Sequence, residues 1–223
     1  MNVRHKPENP LRSEDWIVRS IDPMVGRALI ARYHYAAGAS NTVTACHGLI
    51  HHETRSVKGV TWWIPPTKHA AAACLRGKPA DGVADVSASH SWQSVLSLSR
   101  LVVLPGMPTN AATFLMMRSA ALLDARWPVL VTWADTERGH TGAIYRAGNW
   151  ESLGLSEPSE VWVDETGRRV ARKAGPKTRT HEQMRDLGHI FLGYFRKYRF
   201  RLVRRRFPQI VPSPQMSMFE DAS

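Results

Sequence analysis

The sequence is poor in cysteine, in long apolar runs and in glycine-rich loops, and each shortage excludes something. Cys46 and Cys74 are the only cysteines in 223 residues. They cannot form a disulfide framework, and they lack the paired spacing of a zinc site, so they read as reduced thiols of a cytoplasmic protein. No apolar stretch approaches the roughly 20 residues that cross a bilayer. The longest, 101–104 and 129–134, are strand-sized. The opening MNVRHKPENP is basic but is not followed by the apolar segment of a signal peptide. Internal repeats and low-complexity blocks are also missing. Acids are scarce: 19 against 30 Lys and Arg, a formal net charge of +11. What remains is 43% hydrophobic, enough for one sizeable core with or without a tail.

The positive charge is concentrated. Residues 168–206 hold 14 Lys and Arg against two acids, Glu182 and Asp186, leaving 16 bases and 17 acids elsewhere. In this stretch Phe191, Tyr194, Phe195, Tyr198 and Phe200 interleave with basic residues. A solvating tail needs charge but no aromatics, whereas a nucleic-acid partner uses both. Arg196, Lys197, Arg199, Arg201, Arg204, Arg205 and Arg206 are therefore expected to contact a nucleic acid.

Periodicity and turn chemistry divide the rest. Residues 16–19 read as a strand. Asp22-Pro23 starts a helix, with Asp at the N-cap and Pro where a missing N–H costs nothing. Residues 45–52 and 57–64 form a hairpin. Residues 65–93 read as an insertion, placed where a substrate-side lid would sit. A strand at 96–104 leads through Pro105-Gly106 to a helix at 111–126, broken by Pro128. A buried strand at 129–134, a helix at 141–147 closed by Gly148, and strands at 150–155 and 161–163 follow. Thr180 with Gln183 is a capping box. Tyr198, Phe200 and Leu202 alternate with Arg199 and Arg201, as in a strand with one basic face. The expected class is α+β around a mixed, mostly antiparallel central sheet flanked by helices. Residues 1–175 are expected to form the catalytic domain, 176–207 a basic aromatic extension, and 208–223 a disordered tail.

Four constellations suit chemistry. The strand–loop–helix at 101–119 ends in unpaired helix N–H groups near Asn110, where a pyrophosphate can bind. An ordinary connection looks the same. Asp135 lies just past a buried strand, where open sheets bind ligands. It fits three roles: a base, a metal ligand or a turn cap. Tyr145, between Gly139 and Trp150, can protonate a departing thiolate or be a core tyrosine. In Tyr33-His34-Tyr35, His34 is the natural proton acceptor. With Tyr35 and Asp135 it also makes a nitrogen–oxygen donor set suited to iron.

Residues 96–155 resemble the cofactor half of the GNAT acyltransferase fold: a strand, a pyrophosphate loop and helix, a second strand, then a helix ending in Tyr before Gly and an aromatic. The glycine-rich loop is replaced by Pro108-Thr109-Asn110. Further pieces resemble the phage Mom DNA-modification family: Tyr33-His34-Tyr35, Leu98-Ser99-Arg100-Leu101, Ala134-Asp135 through Gly139-His140-Thr141-Gly142, Ile144-Tyr145-Arg146-Ala147 to Asn149-Trp150, Arg179-Thr180-His181, and Lys197-Tyr198-Arg199-Phe200. The family resemblance implies conversion of adenine in double-stranded phage DNA to N6-carbamoylmethyladenine, as protection from restriction. It implies acetyl-CoA, a coenzyme-A thioester, as cofactor and a bacterial cytoplasm as the setting. It makes His34, Tyr35, Asp135 and Tyr145 the catalytic residues, His34, Tyr35 and Asp135 the ligands of any iron, and Leu101, Val102, Val103, Thr109, Asn110, Ala111, Ala112 and Ser119 the cofactor contacts. The competing readings are an acetyltransferase for a protein or small amine, and a non-catalytic DNA-binding protein on the same scaffold.

Overall fold

The computed structural model describes residues 10–36, 38–77, 82–174 and 176–204. A seven-stranded sheet organises them. It is built from β1 (Trp16–Ser20), β2 (Ala45–His51), β3 (Val57–Ile64), β4 (Val95–Val103), β5 (Val129–Asp135), β6 (Glu151–Leu155) and, late in the chain, β12 (Lys197–Val203). Their order is β1-β2-β3-β4-β5-β12-β6. Every pairing is antiparallel except β4 with β5. The expected α+β class with a mixed, mostly antiparallel sheet is what the chain adopts.

Helices cover both faces. On one lie α1 (Pro23–Tyr33) and α2 (Lys68–Leu75). Asp22 caps α1 as expected, its Oδ1 accepting the Met24 N–H at 2.7 Å, with Pro23 in the first turn. Ile30 packs on Val60, Trp62 and Val102, while Ala71, Cys74 and Leu75 of α2 pack on Val95, Val129 and Val131. The other face carries α3 (Ala111–Leu122) and α4 (Ala143–Ala147). There Met116, Ala120 and Tyr145 meet Trp63, Leu96, Leu130 and Phe200.

Between β6 and β12 the chain makes a second, three-stranded sheet in the order β11-β7-β8. It consists of β7 (Ser159–Val163), β8 (Arg169–Val170) and β11 (Ile190–Phe195). A short hairpin of β9 (Lys173–Ala174) and β10 (Lys177–Thr178) and the helix α5 (His181–Asp186) complete it. Both hydrogen bonds of the Thr180–Gln183 capping box are present at the start of α5.

Several expectations are corrected. The described part of the expected extension 176–207, residues 176–204, is not appended, because β12 sits inside the main sheet between β5 and β6. Residues 65–93 are not simply an inserted lid, because α2 is a core helix of one face. The α3 helix stops at Leu122, short of Pro128, and its end is closed from afar. The Arg204 guanidinium donates to the carbonyls of Leu123, Asp124 and Trp127. The strand at 161–163 belongs to the smaller sheet. The expected tail, 208–223, lies outside the described residues. No described helix is long and apolar enough to cross a membrane.

Candidate active site

The only parallel pair among the described strands of the main sheet is also a short one. β4 and β5 pair over three positions, Val95 with Val129, Leu96 with Leu130 and Ser97 with Val131. Beyond these the strands part. A β-bulge explains the divergence: Trp62 pairs with Arg100 but Trp63 with Leu98, so Ser99 is an extra residue in β4. Bulges bend the strand that carries them and leave the extra residue out of the ladder. At the apex of the opening the Thr132 hydroxyl donates to the Leu98 carbonyl at 3.1 Å.

The opening holds a cavity of about 440 Å³ that joins the two faces of the sheet. Ser99, Leu101 and Val103 wall it on β4, and Thr132, Trp133 and Ala134 on β5. One mouth, under α1, is lined by His34, Tyr35 and His140. The other, toward α3 and α4, is lined by Ala112, Ile144 and Tyr145. The sequence places Tyr145 here through Gly142, whose φ of +79° starts α4 and against whose missing Cβ the Phe200 ring packs. For this reason α4 begins at Ala143 rather than Thr141.

The first mouth is aromatic and cationic. His34 stacks on Tyr35 at 4.4 Å, and His140 meets Tyr35 edge-on at 5.3 Å. The Arg138 and Arg169 guanidinium groups lie over the Tyr35 ring at 5.5 and 5.9 Å. Burial, with the nearby Arg100 and His140, lowers the His34 pKa to about 4. Its Nδ1 accepts the Ala36 N–H at 3.1 Å. His34 is thus a neutral imidazole at pH 7 with its proton on Nε2, a hydrogen-bond donor rather than a base. Burial also raises the Tyr35 phenol above its ordinary pKa.

Asp135 ends β5 on the same side of the sheet but does not line the cavity. It is 1% exposed, and its Oδ2 accepts from Arg169 at 2.5 Å, with Lys197 Nζ at 3.8 Å. Burial works to raise its pKa, but the Arg169 hydrogen bond and the charges of Lys197 and Arg169 outweigh it and hold the carboxylate ionised. Arg169 also donates to Glu137 at 2.6 Å, tying the smaller sheet to the site. At the second mouth burial raises the Tyr145 phenol above its ordinary pKa, more than its hydrogen bond with Thr132 lowers it. The phenol therefore keeps its proton at neutral pH.

The expected iron donors are partly engaged, and the buried Asp135 Oδ1 has no hydrogen-bond partner among the described residues. Asp135 Oδ2 is engaged by Arg169, the His34 Nδ1 lone pair by Ala36, and the cations Arg100, Arg169 and Lys197 surround the site. A metal cation would add to that positive charge. Among the described residues no cluster of three or more His, Cys, Asp or Glu is placed to hold a metal.

Of the expected cofactor contacts, Leu101, Val103 and Ala112 line the cavity. Thr109 and Asn110 lie at the start of α3, and the Asn110 side chain is occupied, its Oδ1 accepting the Leu11 N–H at 2.8 Å. Val102 and Ala111 point into the core. Ser119 is wholly buried, holds His47, Thr61 and Trp63 together, and does not line the cavity.

The expected DNA contacts divide similarly. Arg196 is exposed, and Lys197 and Arg199 are half-buried. Arg201 is 0% exposed, donating to the Cys74, Leu75 and Ala84 carbonyls and to Glu151. Arg204 is spent on the end of α3. Arg205 and Arg206 lie outside the described residues. The basic face read from the sequence exists, but Arg201 on it is buried against the end of α2 rather than exposed to solvent. Sequence reasoning missed His140 as a wall of the cavity, and Arg169. Glycines on both sides of His140 marked a loop only, and nothing local links Arg169 to an acid 34 residues away.

Among curated proteins none matches the chain. Solved structures are similar at low identity. An N-acetyltransferase from Staphylococcus aureus is 11% identical, with 84% of this chain and 98% of that one covered and a TM-score of 0.44. A polyamine N-acetyltransferase from Drosophila melanogaster is 13% identical, with 85% and 100% covered and a TM-score of 0.46. YncA of Salmonella typhimurium, with acetyl-CoA as its cofactor, is 8% identical, with 86% and 96% covered and a TM-score of 0.43. The split sheet, the tyrosine at one mouth and the histidines at the other lie within residues 15–204, the stretch matched by the Mom protein family model, and the chain belongs to that family.

Proposed function

We propose that this protein modifies the N6 amine of adenine in double-stranded DNA, drawing its carbon from a coenzyme-A thioester. The observation that carries the reading is the cavity through the sheet, with a protonated phenol at one mouth and an aromatic, hydrogen-bonding mouth at the other. A thioester is an extended molecule, and a split sheet admits its reactive end from one face while the acceptor enters from the other. The first turn of α3 offers N–H groups to the pyrophosphate. The bulged Ser99 offers an unladdered amide to the thioester carbonyl oxygen.

The acceptor mouth suits a flipped base. Extrusion costs a few kcal/mol, which stacking recovers in part. Tyr35, backed by His34, provides the platform, and neutral His34 donates from Nε2 to a ring nitrogen. In direct transfer the N6–carbon bond forms, the carbon–sulfur bond breaks, Tyr145 protonates the thiolate, and N6 releases one proton. His140 is better placed to take that proton than Asp135, because it lines the cavity. Asp135 orients the mouth through Arg169. This step yields N6-acetyladenine. The N6-carbamoylmethyladenine implied by the family requires a bond to the methyl carbon and an added amide nitrogen, and no side chain of the cavity supplies that nitrogen.

The DNA reading also draws on charge. Arg168, Lys173, Lys177, Arg185 and Arg196 are exposed in or beside the smaller sheet, which Arg169 ties to the acceptor mouth. Phosphate contacts of this kind position the duplex without reading its sequence. The test is mass spectrometry of nucleosides from the DNA of cells expressing the protein, beside cells expressing Tyr145→Phe. A heavier deoxyadenosine is expected with the wild type, and about 100-fold less or lower with the variant. Its mass distinguishes acetyl from carbamoylmethyl. Unmodified DNA with folded protein present would transfer the reading to a protein or small-amine acetyltransferase.

A further inference from the structure

A second cavity, of about 330 Å³, opens on the α2 face between the end of that helix and β6. Arg76 and Arg199 face it, together with Ser152 and the backbone of Gly154. Arg199 is anchored, its Nη2 donating to the Leu153 carbonyl at 2.8 Å. Its Nε is buried and has no hydrogen-bond partner among the described residues. Neither Arg199 nor Arg76 forms a salt bridge among those residues, whereas Arg169, Arg172 and Arg201 each meet a carboxylate. A guanidinium taken partly out of water without a counter-ion is costly, and an anion relieves that cost.

The position of the cavity identifies the anion. Arg199 stands opposite Trp133 in the β5–β12 register, and Trp133 also walls the first cavity. Lys197, two residues earlier on the same face, reaches Asp135 at the acceptor mouth. The Lys197–Arg199 step is thus roughly 7 Å of strand running away from the acceptor mouth. Tyr145 and the start of α3, where a thioester would lie, are on the opposite face.

We propose that Arg199 and Arg76 form a phosphodiester-binding site that holds the DNA strand beside the target adenine. The guanidinium fork suits two phosphate oxygens, and Ser152 adds a hydroxyl donor. The site rests on the DNA reading above. It adds that the strand crosses the α2 face rather than lying on the smaller sheet alone.

The test is binding of a fluorescently labelled duplex across a salt series, for the wild type, Arg199→Gln and Arg76→Gln, beside titration of each with acetyl-CoA. Each variant is expected to weaken duplex binding and to reduce the slope of log affinity against log salt by about 0.9, the value of one phosphate contact. Acetyl-CoA affinity should not change. An unchanged salt slope in both variants, with the wild type binding duplex, would overturn the site and leave the DNA reading standing. Loss of acetyl-CoA affinity would overturn it too, by assigning the guanidinium groups to the cofactor's phosphates. A wild type that binds no duplex at low salt would overturn both. Arg76 is exposed and its side chain makes no hydrogen bond among the described residues, so its variant answers the question even where Arg199→Gln fails to fold.

Discussion

Three side chains converge on the Ser119 hydroxyl: His47 Nδ1 at 2.7 Å, the Thr61 hydroxyl at 2.7 Å and Trp63 Nε1 at 2.8 Å. All four residues are buried. Removing the oxygen strands the Trp63 N–H and breaks the other two bonds in a medium without water. Ser119→Ala should therefore cost about 2 kcal/mol in urea denaturation and leave acetyl-CoA affinity unchanged, whereas a cofactor contact would show the reverse. His34 obeys a different logic. Its folded pKa of about 4 lies below the ordinary 6.5, so the unfolded chain binds more protons between these values. The stability due to neutral His34 is complete above pH 6.5 and is lost as pH falls to about 4. The melting temperature of His34→Gln should fall less between pH 7 and pH 5 than that of the wild type; an equal fall would show that His34 is not buried against cations as described. Neither role is legible locally. Ser119 sits at helical spacing like any core residue, and a histidine's environment is made by segments far away in sequence.

At the scale of elements, β12 reverses the obvious reading of its sequence. Alternation of Tyr198, Phe200 and Leu202 with Lys197, Arg199 and Arg201 does describe a strand with one basic face. The apolar side chains join Tyr145 and Leu130 in the core. What the alternation does not reveal is that Arg201 on the basic face is fully covered. Arg201 replaces the missing donors at the end of α2 and reaches Glu151. Arg201→Ala leaves these acceptors unmet and should destabilise the protein by about 3 kcal/mol or more. Far-UV circular dichroism through a thermal melt would measure it, and a change under 1 kcal/mol would return Arg201 to a surface role. Capping at α1 and α5 was legible because Asp22 and Thr180 act on N–H groups two or three residues away. The helix α2 was hidden in a stretch with little apolar periodicity, since its four successive alanines suit a close approach to the sheet but draw no stripe.

For the whole molecule, the late return of the chain matters most. After 41 residues spent on the smaller sheet and its connections, β12 enters between β5 and β6 and pairs with both. A chain ending at residue 175 therefore lacks an internal strand rather than a tail, and β6 loses its neighbour in the main sheet. Such a truncation is expected to be insoluble or molten, as judged by dispersion of its amide resonances; a well-dispersed spectrum would contradict the placement of β12. The same return brings Lys197 to Asp135 and Arg199 to the second cavity, so the smaller sheet is a detour that also delivers Arg169 to the acceptor mouth.

The sequence by itself determined the α+β class, the hairpin, the strand–loop–helix and the buried β5. These follow from period, turn chemistry and capping, which act over a few residues. Tertiary structure alone decided the rest: the parting of β4 from β5, the ion pair of Arg169 with Asp135, the burial of Ser119 and Arg201, and the place of β12. Each depends on groups between 34 and 127 residues apart meeting in space. Where a charge meets a carbonyl or a carboxylate at such separation, local pattern carries no trace of the partner, and burial rather than residue type decides whether an arginine binds a ligand or holds the fold.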